Sequence, residues 1–341
     1  MSENTGTLKA VVVGAGSISG AWFPPLIKEG VVIPAVVDIK AEAAAERIQK
    51  YNLPAKAYTS LGRALRATKP DFVVDLTVPE AHCKVACTAL KAGCHVVGEK
   101  PMAASMAEAR RMVATAEKTG KLYMVSQSRR WDAKHASLAQ GVRAGVVGDI
   151  TTVNCDFYLG AHFGGFRDEM ASPLILDMAI HHFDLARFFT GCDPVAVYAH
   201  EFNPKGSWYK GAVAASCIFE MSNGVVFTYR GSWCAEGCHN SWNGDWRLIG
   251  TSGTLLYEQD KQPTGQVVDG TEGFNRPLKP VETPTVEMQC GAMHGALREM
   301  LDYIRTGKAP QTECHDNIKS LAMVFAAIES ARKHKRVEIK F

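Results

Sequence analysis

Residues 8–38 read LKAVVVGAGSISGAWFPPLIKEGVVIPAVVD, and this stretch decides the fold of the N-terminal part of the chain. Residues 8–13 form a short apolar run rich in β-branched side chains, which is typical of a buried strand. A glycine-rich turn and a helix-compatible segment follow, and a second apolar run, 31–37, ends at Asp38. The order strand, tight turn, helix, strand predicts a βαβ unit with parallel strands.

The same alternation of apolar runs and helical segments continues to about residue 125. The apolar runs are 71–76, 95–98 and 123–126, and the helix-compatible segments are 81–92 and 105–119. Strands that are apolar along their whole length are buried on both faces. We therefore predict an α/β fold with a doubly wound parallel sheet in a first domain, residues 1–125.

Beyond residue 125 the pattern changes to longer runs, at 150–159, 195–200, 212–221 and 225–232. Asn223-Gly224 lies between the last two runs, and Asn-Gly tolerates the positive φ angles of a tight hairpin turn. We predict a second α/β domain, residues 126–341, with a large, open and mostly antiparallel sheet. Its last helices, 293–305 and 316–333, are expected to pack back toward the first domain.

One long helix is expected within the second domain. Ser172 would cap it, Pro173 would occupy its first turn, and Gly191 would stop it after the apolar stretch 174–189. A helix this apolar is expected to be buried. Residues 259–290, rich in Pro, Gly, Thr and Gln, are expected to form a long loop.

Composition limits the partners of the chain. The 341 residues suggest two domains, at about 150 residues each. Lys and Arg total 38 against 35 Asp and Glu, a net charge of 38 − 35 = +3 without a basic block, so no nucleic-acid partner is predicted. No run approaches the ~20 apolar residues of a membrane helix, and the N-terminus has no signal-type segment. We predict a cytoplasmic protein with a small-molecule partner and no membrane contact.

The ten cysteines are predicted to be free thiols, because most of them lie in apolar segments. The one pair that resembles a metal motif is Cys234-x3-Cys238, which His239 follows. No second ligand pair stands at zinc-finger spacing elsewhere, so no metal site is predicted.

A dinucleotide site is predicted from the first βαβ unit. Gly14-x-Gly16-x-x-Ser19 joins the first strand to the first helix, where glycines let a pyrophosphate approach the backbone amides. Asp38 ends the second strand, where a carboxylate accepts hydrogen bonds from the adenosine ribose and repels a 2′-phosphate. We therefore predict NAD, with NADP as an alternative because Lys40 lies two residues on. The structural alternative for Asp38 is an N-cap of the following helix.

Three ionisable residues are predicted to take part in catalysis. Glu99-Lys100-Pro101 closes a strand at the sheet edge where ligands bind, and Lys100 there is placed to hydrogen-bond a reacting hydroxyl. Asp177 and His181 lie on the apolar helix at i, i+4 spacing, which puts both side chains on one face of an α-helix. A histidine accepts an alcohol proton near neutral pH, and a neighbouring carboxylate stabilises the imidazolium. The alternatives are a solvated lysine and a buried structural ion pair.

Aromatic residues are concentrated in the second domain and have two interpretations. Their faces stack on the C–H surfaces of sugars, but they also fill sheet cores and interfaces, which is the commoner use. The residues concerned are Trp131, Tyr158, Tyr229, Trp233, Trp242 and Trp246.

Together these motifs resemble the glucose–fructose oxidoreductase, inositol dehydrogenase and rhizopine-catabolism family, written Gfo/Idh/MocA. The resemblance covers nearly the whole chain and rests on VVVGAGSIS (11–19), Thr77-Val-Pro79-x-x-His82, AGCHVVGEKP (92–101), SRRWD (128–132) and DMAIHHFDLARFF (177–189). It departs at residues 170–173, Met-Ala-Ser-Pro, where family members commonly have glycines. That departure suggests a stiffer loop, shaped for a different substrate.

The resemblance implies a Rossmann domain joined to a C-terminal α/β domain, whose open sheet makes subunit contacts in a homodimer or homotetramer. It puts Lys100, Asp177 and His181 at the family's catalytic positions. The cofactor is expected to contact Gly14, Gly16, Ser17, Ile18, Asp38, Thr77, His82, Glu99, Lys100 and Arg130. The substrate is expected to contact Lys100, Trp131, Tyr158, Asp177 and His181.

The sequence thus predicts an oxidoreductase that transfers a hydride between NAD and a hydroxyl or carbonyl carbon of a sugar, sugar derivative or cyclitol. His181 is the expected general base or acid, supported by Asp177 and Lys100. The alternative enzyme is a redox-neutral glycosidase that retains NAD and works by oxidation, elimination and reduction. A nucleotide-sensing regulator would need the three ionisable residues to be incidental.

Overall fold

The computed structural model describes residues 6–341 and divides them into two compact units. Unit 1 comprises the chain up to Ser128 together with 290–321, and unit 2 comprises 129–289 together with 322–341. Residues 1–5, which the sequence analysis included in the first domain, lie outside the described residues. Residues 290–321, which it assigned to the second domain, belong to unit 1, so the chain crosses between the units more than once.

Unit 1 contains a six-stranded parallel sheet with the order β3-β2-β1-β4-β5-β6. Its strands are β1 (Lys9–Val13), β2 (Val32–Val37), β3 (Lys56–Tyr58), β4 (Phe72–Asp75), β5 (His95–Glu99) and β6 (Tyr123–Ser126). Its helices are α1 (Ser19–Lys28), α2 (Ala41–Lys50), α3 (Leu61–Thr68), α4 (Pro79–Lys91), α5 (Met106–Thr119) and α9 (Ala292–Thr306). The reversal of strand order beside β1 marks a dinucleotide-type fold, and the predicted doubly wound parallel sheet is confirmed.

Unit 2 contains a nine-stranded mixed sheet with the order β14-β13-β12-β11-β7-β10-β9-β8-β15. Its strands are β7 (Ile150–Tyr158), β8 (Pro194–Phe202), β9 (Ala214–Met221), β10 (Val226–Ser232), β11 (Asp245–Gly250), β12 (Gly253–Tyr257), β13 (Thr264–Val268), β14 (Leu278–Glu282) and β15 (Val337–Glu338). The pairs are antiparallel except β7 with β10, which is parallel. The predicted mostly antiparallel sheet is confirmed.

Two local predictions in this sheet had different outcomes. The hairpin at Asn223-Gly224 is confirmed, because both residues have positive φ angles (62° and 77°) between the antiparallel strands β9 and β10. The predicted long loop over 259–290 is wrong, because β13 and β14 form there and pair with each other. These two strands are polar and largely exposed, so they lack the apolar alternation that identifies a strand in a sequence.

The helices of unit 2 cover one face of its sheet. They are α6 (Ala133–Arg143), the short α7 (Phe166–Glu169), a π-helical segment Leu174–Ala179 that continues into α8 (Ile180–Thr190), and the end of α10 (Cys314–Lys333). Phe183 of α8 contacts Phe219 of β9 and Tyr229 of β10 at ring-centroid distances of 4.7 and 5.4 Å. The expected buried helix is therefore present.

The start of that helix differs from the prediction. Ser172 does not cap it, since its hydroxyl donates a hydrogen bond to Glu201 Oε1 at 2.8 Å and no side chain caps the π-helical segment. None of the helices in residues 6–341 is both long and apolar enough to cross a membrane. All ten cysteines are free thiols, as predicted.

Candidate active site

The turn after β1 is shaped by two glycines with different constraints. Gly14 has a φ of +97°, and a Cβ there would lie 2.6 Å from the carbonyl oxygen of Leu76 at the end of β4. Only glycine fits so close to the neighbouring backbone. Gly16 is exposed and meets no atom within 4 Å of a built Cβ, so the space above it is open. The turn therefore packs against β4 at Gly14 and leaves open space at Gly16, which is the form that a pyrophosphate site needs.

Ser19 stands where a third small residue is usual, and the fold accommodates it. The side chain is completely buried, and its hydroxyl donates to the carbonyl of Gly16 at 2.7 Å. Ser17 is exposed and Ile18 is half-buried, so both predicted cofactor contacts lie on the accessible side of the turn. The serine therefore fixes the turn rather than disrupting it.

Asp38 links the turn to the second strand. Its Oδ2 accepts a hydrogen bond from the Ala15 amide at 2.8 Å, and its Oδ1 accepts from the Lys40 amide at 2.9 Å. The alternative role as a cap of α2 is not supported, because Lys40 is the N-cap residue and no side chain caps this helix. Asp38 thus holds the dinucleotide turn directly.

Arg47 is a residue of this site that the sequence analysis did not identify. From α2 its Nε donates to the carbonyl of Ala15 at 3.0 Å, and its Nη2 donates to the carbonyl of Gly16 at 3.1 Å. A cation on the second helix is too common in sequences to signal this contact. The guanidinium thus holds two carbonyls of the turn and adds a positive charge next to Gly16.

Thr77 and His82 form a network with Asp75, at the carboxyl end of β4. The Thr77 hydroxyl donates to Asp75 Oδ1 at 2.6 Å, and His82 Nδ1 lies 3.0 Å from Asp75 Oδ2. Asp75 and His82 are almost completely buried. Asp75 was not predicted. It fixes the orientation of the two residues that were.

Glu99 and Lys100 end β5. The Glu99 carboxylate is buried, and Trp22 of α1, itself inaccessible, donates its indole N–H to Glu99 Oε1 at 2.7 Å. Burial raises the pKa of Glu99 above its ordinary value, while the Trp22 bond and the charge of Lys100 oppose that rise. Lys100 is half-buried, and its peptide bond to Pro101 is cis.

Asp177 and His181 are polar and partly accessible, on a helix of unit 2 that is otherwise largely buried. Both are half-buried, while Met178, Ala179 and Ile180 between them are buried. Their separation is not that of a regular α-helix, because Asp177 lies in the π-helical segment and His181 in α8. Single π-helical turns are frequent at functional sites.

The adjacent histidines of this helix have different environments. His182 is completely buried, lies 3.3 Å from Arg129 through its Nε2, and packs on the ring of Phe157. Burial and the Arg129 charge hold the pKa of His182 well below its usual range, so His182 is neutral. His181, in contrast, is half-buried.

Arg167 forms an ion pair with Asp177, which the sequence analysis did not predict. Its Nε lies 2.6 Å from Asp177 Oδ2, and the two side chains are 33% and 16% exposed. The Asp177 carboxylate therefore has a cationic partner ten residues earlier in the chain.

Three other predicted site residues, Arg130, Trp131 and Tyr158, differ in burial and in their partners. Arg130 is buried and donates through Nε and Nη2 to Asp184 at 2.8 and 2.7 Å. Trp131 is buried. Tyr158 lies on the face of β7 that α8 does not cover, since Phe157, the next residue, packs on His182 of that helix. Its contact with the substrate stays a prediction.

Three of the four remaining aromatic residues are buried, which favours the interpretation that they fill the core. Tyr229, Trp233 and Trp246 are buried, and Trp242 is 48% exposed.

Among the described residues, the group of possible metal ligands that lie close together is Glu313, Cys314 and His315; it does not include Cys234 and Cys238, whose spacing resembles a metal motif. Burial raises the pKa of Cys314 to about 12, which opposes the thiolate form that binds metals.

Comparison with known proteins identifies the family. Residues 8–127 match the family described as "Oxidoreductase family, NAD-binding Rossmann fold", and residues 135–256 match the "GFO/IDH/MocA C-terminal domain". The chain belongs to the Gfo/Idh/MocA family. It is an oxidoreductase with an NAD-binding Rossmann domain, as the sequence predicted.

Relatives align along much of the chain. D-apiose dehydrogenase of Paraburkholderia graminis is 26% identical over 97% of this chain and 90% of its own. Inositol 2-dehydrogenase of Salmonella typhimurium is 29% identical over 55% of this chain and 56% of its own. The crystal structure of an oxidoreductase from Agrobacterium radiobacter with NAD+, L-tartaric acid and magnesium has a TM-score of 0.85 at 21% identity, covering 98% of both chains. This last similarity establishes the fold.

The contact between Trp22 and Glu99 gives a testable pH dependence of stability. Because burial raises the pKa of Glu99, the folded protein retains a proton that the unfolded chain loses above about pH 4.5. The contribution of Glu99 to stability therefore falls as the pH rises through that raised pKa. Trp22→Phe removes the donor to the carboxylate, so we expect it to lower the free energy of unfolding by about 1–3 kcal/mol, and by more at pH 8 than at pH 5.

Urea unfolding of wild type and Trp22→Phe at the two pH values measures this difference. Trp242→Phe, which changes an exposed tryptophan in the same way, is the control and should be near neutral at both. An equal loss at pH 5 and pH 8 would show that Trp22 acts through packing alone.

Proposed function

We propose that this dehydrogenase transfers a hydride between NAD and a hydroxyl or carbonyl carbon of a sugar, sugar derivative or cyclitol. The observation that carries the proposal is the pairing of two features: a dinucleotide turn with open space above Gly16, and a buried helix whose accessible polar residues include Asp177 and His181. The names of the relatives D-apiose dehydrogenase and inositol 2-dehydrogenase support this substrate class. A cytoplasmic location stays a prediction.

In this proposal His181 accepts the proton of the substrate hydroxyl during oxidation and returns it during reduction. Asp177 stabilises the imidazolium that forms, and Lys100 donates a hydrogen bond to the oxygen as its negative charge develops. NAD, when bound, supplies the hydride acceptor. Gly14, Gly16 and Asp38 would hold it, and Arg47 would keep their turn in shape.

Removing the proton-transfer groups should abolish turnover without loss of cofactor binding. His181→Asn and Lys100→Met are each expected to lower kcat by about 10²–10⁴-fold and to leave the Kd for NAD within a few-fold, because both residues act on the transferred proton. His334→Asn is the control, since His334 is exposed and has a φ of 51°, which asparagine also adopts.

Turnover is followed on a panel of inositols, aldoses, anhydrosugars and glycosides, by NADH absorbance and by sugar release in parallel. NADH formation that depends on His181 supports the proposal. Release of sugar without net NADH would assign the chain to the redox-neutral glycosidases instead. Near-normal turnover of either variant would remove that residue from the mechanism.

Cofactor choice is proposed to depend on Asp38. Its carboxylate accepts a hydrogen bond from the Ala15 amide of the turn, and in this proposal it also accepts from the adenosine ribose, so a 2′-phosphate would meet a negative charge. Lys40 and Arg47 reduce that repulsion, and we expect a preference for NAD on the order of 10-fold in kcat/KM.

Asp38→Ser should reduce this preference several-fold by removing the charge. Glu42→Ser, which removes another exposed carboxylate near the start of α2, should leave the preference unchanged. Dissociation constants and kcat/KM for NAD and NADP measure the effect. A parent that prefers NADP, or an Asp38→Ser variant with unchanged preference, would show that Asp38 does not select the cofactor.

We also propose that copies of the chain associate, as a dimer or tetramer, through the open face of the unit 2 sheet. Tyr198, Phe202 and Ile218 share this face and are each between 44% and 49% exposed. Ile218→Glu should lower the mass measured by light scattering, whereas Ile27→Glu, at a similarly exposed residue of α1, should not. A wild type that is monomeric at micromolar concentration would contradict the proposal.

A further inference from the structure

The guanidinium of Arg167 has donors that the protein does not use. A guanidinium carries five N–H donors in a planar fork, and one of them, on Nε, is directed at Asp177. The Nη1 and Nη2 groups make no hydrogen bond to another of the described residues, although the side chain is only 33% exposed. The edge of the fork formed by these two nitrogens is the edge that binds a carboxylate through two parallel hydrogen bonds.

Two aromatic rings fix the plane of this guanidinium. Its Cζ lies 4.9 Å from the ring centroid of Phe163 and 4.7 Å from that of Phe166. Phe163 in turn packs edge-on against the buried Trp233, with ring centroids 5.0 Å apart. Stacking on aromatic faces positions a guanidinium while leaving its in-plane donors available.

The segment that follows Arg167 is anchored within unit 2. The amide of Ala212 donates to the carbonyl of Ala171 at 2.8 Å, and a Cβ on Gly211 would lie 2.1 Å from the carbonyl of Met170. Ser172 is tied to Glu201. The chain between Arg167 and Asp177 is therefore held at three points, and the guanidinium is in place before any ligand arrives.

Charge balance indicates what the free edge would bind. The ion pair with Asp177 uses the Nε donor of Arg167, and the edge formed by Nη1 and Nη2 is paired with no carboxylate of the described residues. Asp168, the next residue in the chain, makes no hydrogen bond or ion pair with Arg167, and Glu169 is paired with Lys210. A neutral sugar would place hydroxyl groups on donors that are best matched by a carboxylate.

We propose that Arg167 binds a carboxylate of the substrate, which makes the substrate a sugar acid rather than a neutral sugar. This inference rests on the proposed function, since it assumes that Asp177 and His181 act on the reacting hydroxyl. Arg167 then bridges the substrate carboxylate and Asp177, and the reacting hydroxyl lies near that carboxylate. Arg167 is a specificity-determining residue and takes no part in proton transfer.

Matched pairs of sugars test this proposal in the NAD-loaded enzyme. D-glucuronate is compared with D-glucose, and D-galacturonate with D-galactose, by initial rates and by the thermal shift that each compound causes. For the better pair we expect kcat/KM to be at least 10-fold higher for the acid. Arg167→Gln should raise KM for the acid by about 10–100-fold through the loss of a charge-assisted pair, and any effect through Asp177 is shared by the neutral sugar, so the ratio of kcat/KM for acid to neutral sugar should fall by at least 10-fold.

Two further variants separate charge from geometry. Arg167→Lys keeps the charge without the fork and should restore only part of the affinity for the acid. Lys210→Gln is the matched control, because it removes an exposed cation from the neighbouring loop and should leave every constant unchanged.

The outcomes distinguish the two proposals. Oxidation of neutral sugars with no preference for either acid, or equal loss for acid and neutral sugar in Arg167→Gln, overturns the role of Arg167 and leaves the proposed function intact. If neither acids nor neutral sugars react or shift the melting temperature while NAD still binds, both proposals are overturned.

Discussion

The backbone of Gly14 lies so close to the carbonyl of Leu76 that only glycine fits there, and the shape of the dinucleotide turn depends on this contact. It brings the turn after β1 against the end of β4, so that the helix α1 starts directly above the carboxyl ends of the parallel strands. A Cβ at this residue would displace the turn or the strand, because 2.6 Å is well inside van der Waals contact. The residues that surround the turn then serve to hold a shape that the backbone has already set. Asp38 and Arg47 do so from β2 and α2.

Buried charged side chains in both units have polar partners that offset the cost of removing them from water. Asp75 has Thr77 and His82, Glu99 has Trp22, and Arg130 has Asp184. Removing one member of a buried ion pair typically costs about 3–5 kcal/mol, a large part of the stability of a domain. The motifs SRRWD and HHFDLARFF therefore contain residues that stabilise the fold beside any that contact ligands. Arg130 stabilises the fold through its two hydrogen bonds to Asp184, and its contact with the cofactor stays a prediction.

Features that depend on residues close together in the chain were predicted from the sequence, and features that depend on distant residues were missed. The βαβ pattern, the dinucleotide turn and the Asn223 hairpin depend on neighbours within a few residues, and all three were predicted. The strands β13 and β14 were missed because only their pairing with each other and with β12 identifies them. The π-helical segment was missed for a related reason. The i, i+4 argument for Asp177 and His181 assumed regular α-helix, and a π-helical turn depends on packing rather than on local preference.

The contacts of Arg167 show why the substrate half of a site is harder to predict than the cofactor half. A dinucleotide turn is encoded by glycines that lie together in the chain, whereas Arg167 meets Asp177 across a loop and is held by Phe163, which itself packs on Trp233. Each of these residues has an ordinary alternative role in the sequence, and only their mutual distances distinguish a binding group from a surface charge. A loop fixed by such contacts can change its ligand by one substitution without disturbing the sheet beneath it. Members of a family with one cofactor site can therefore differ in substrate, and the residues that set the difference lie where local sequence patterns are weakest.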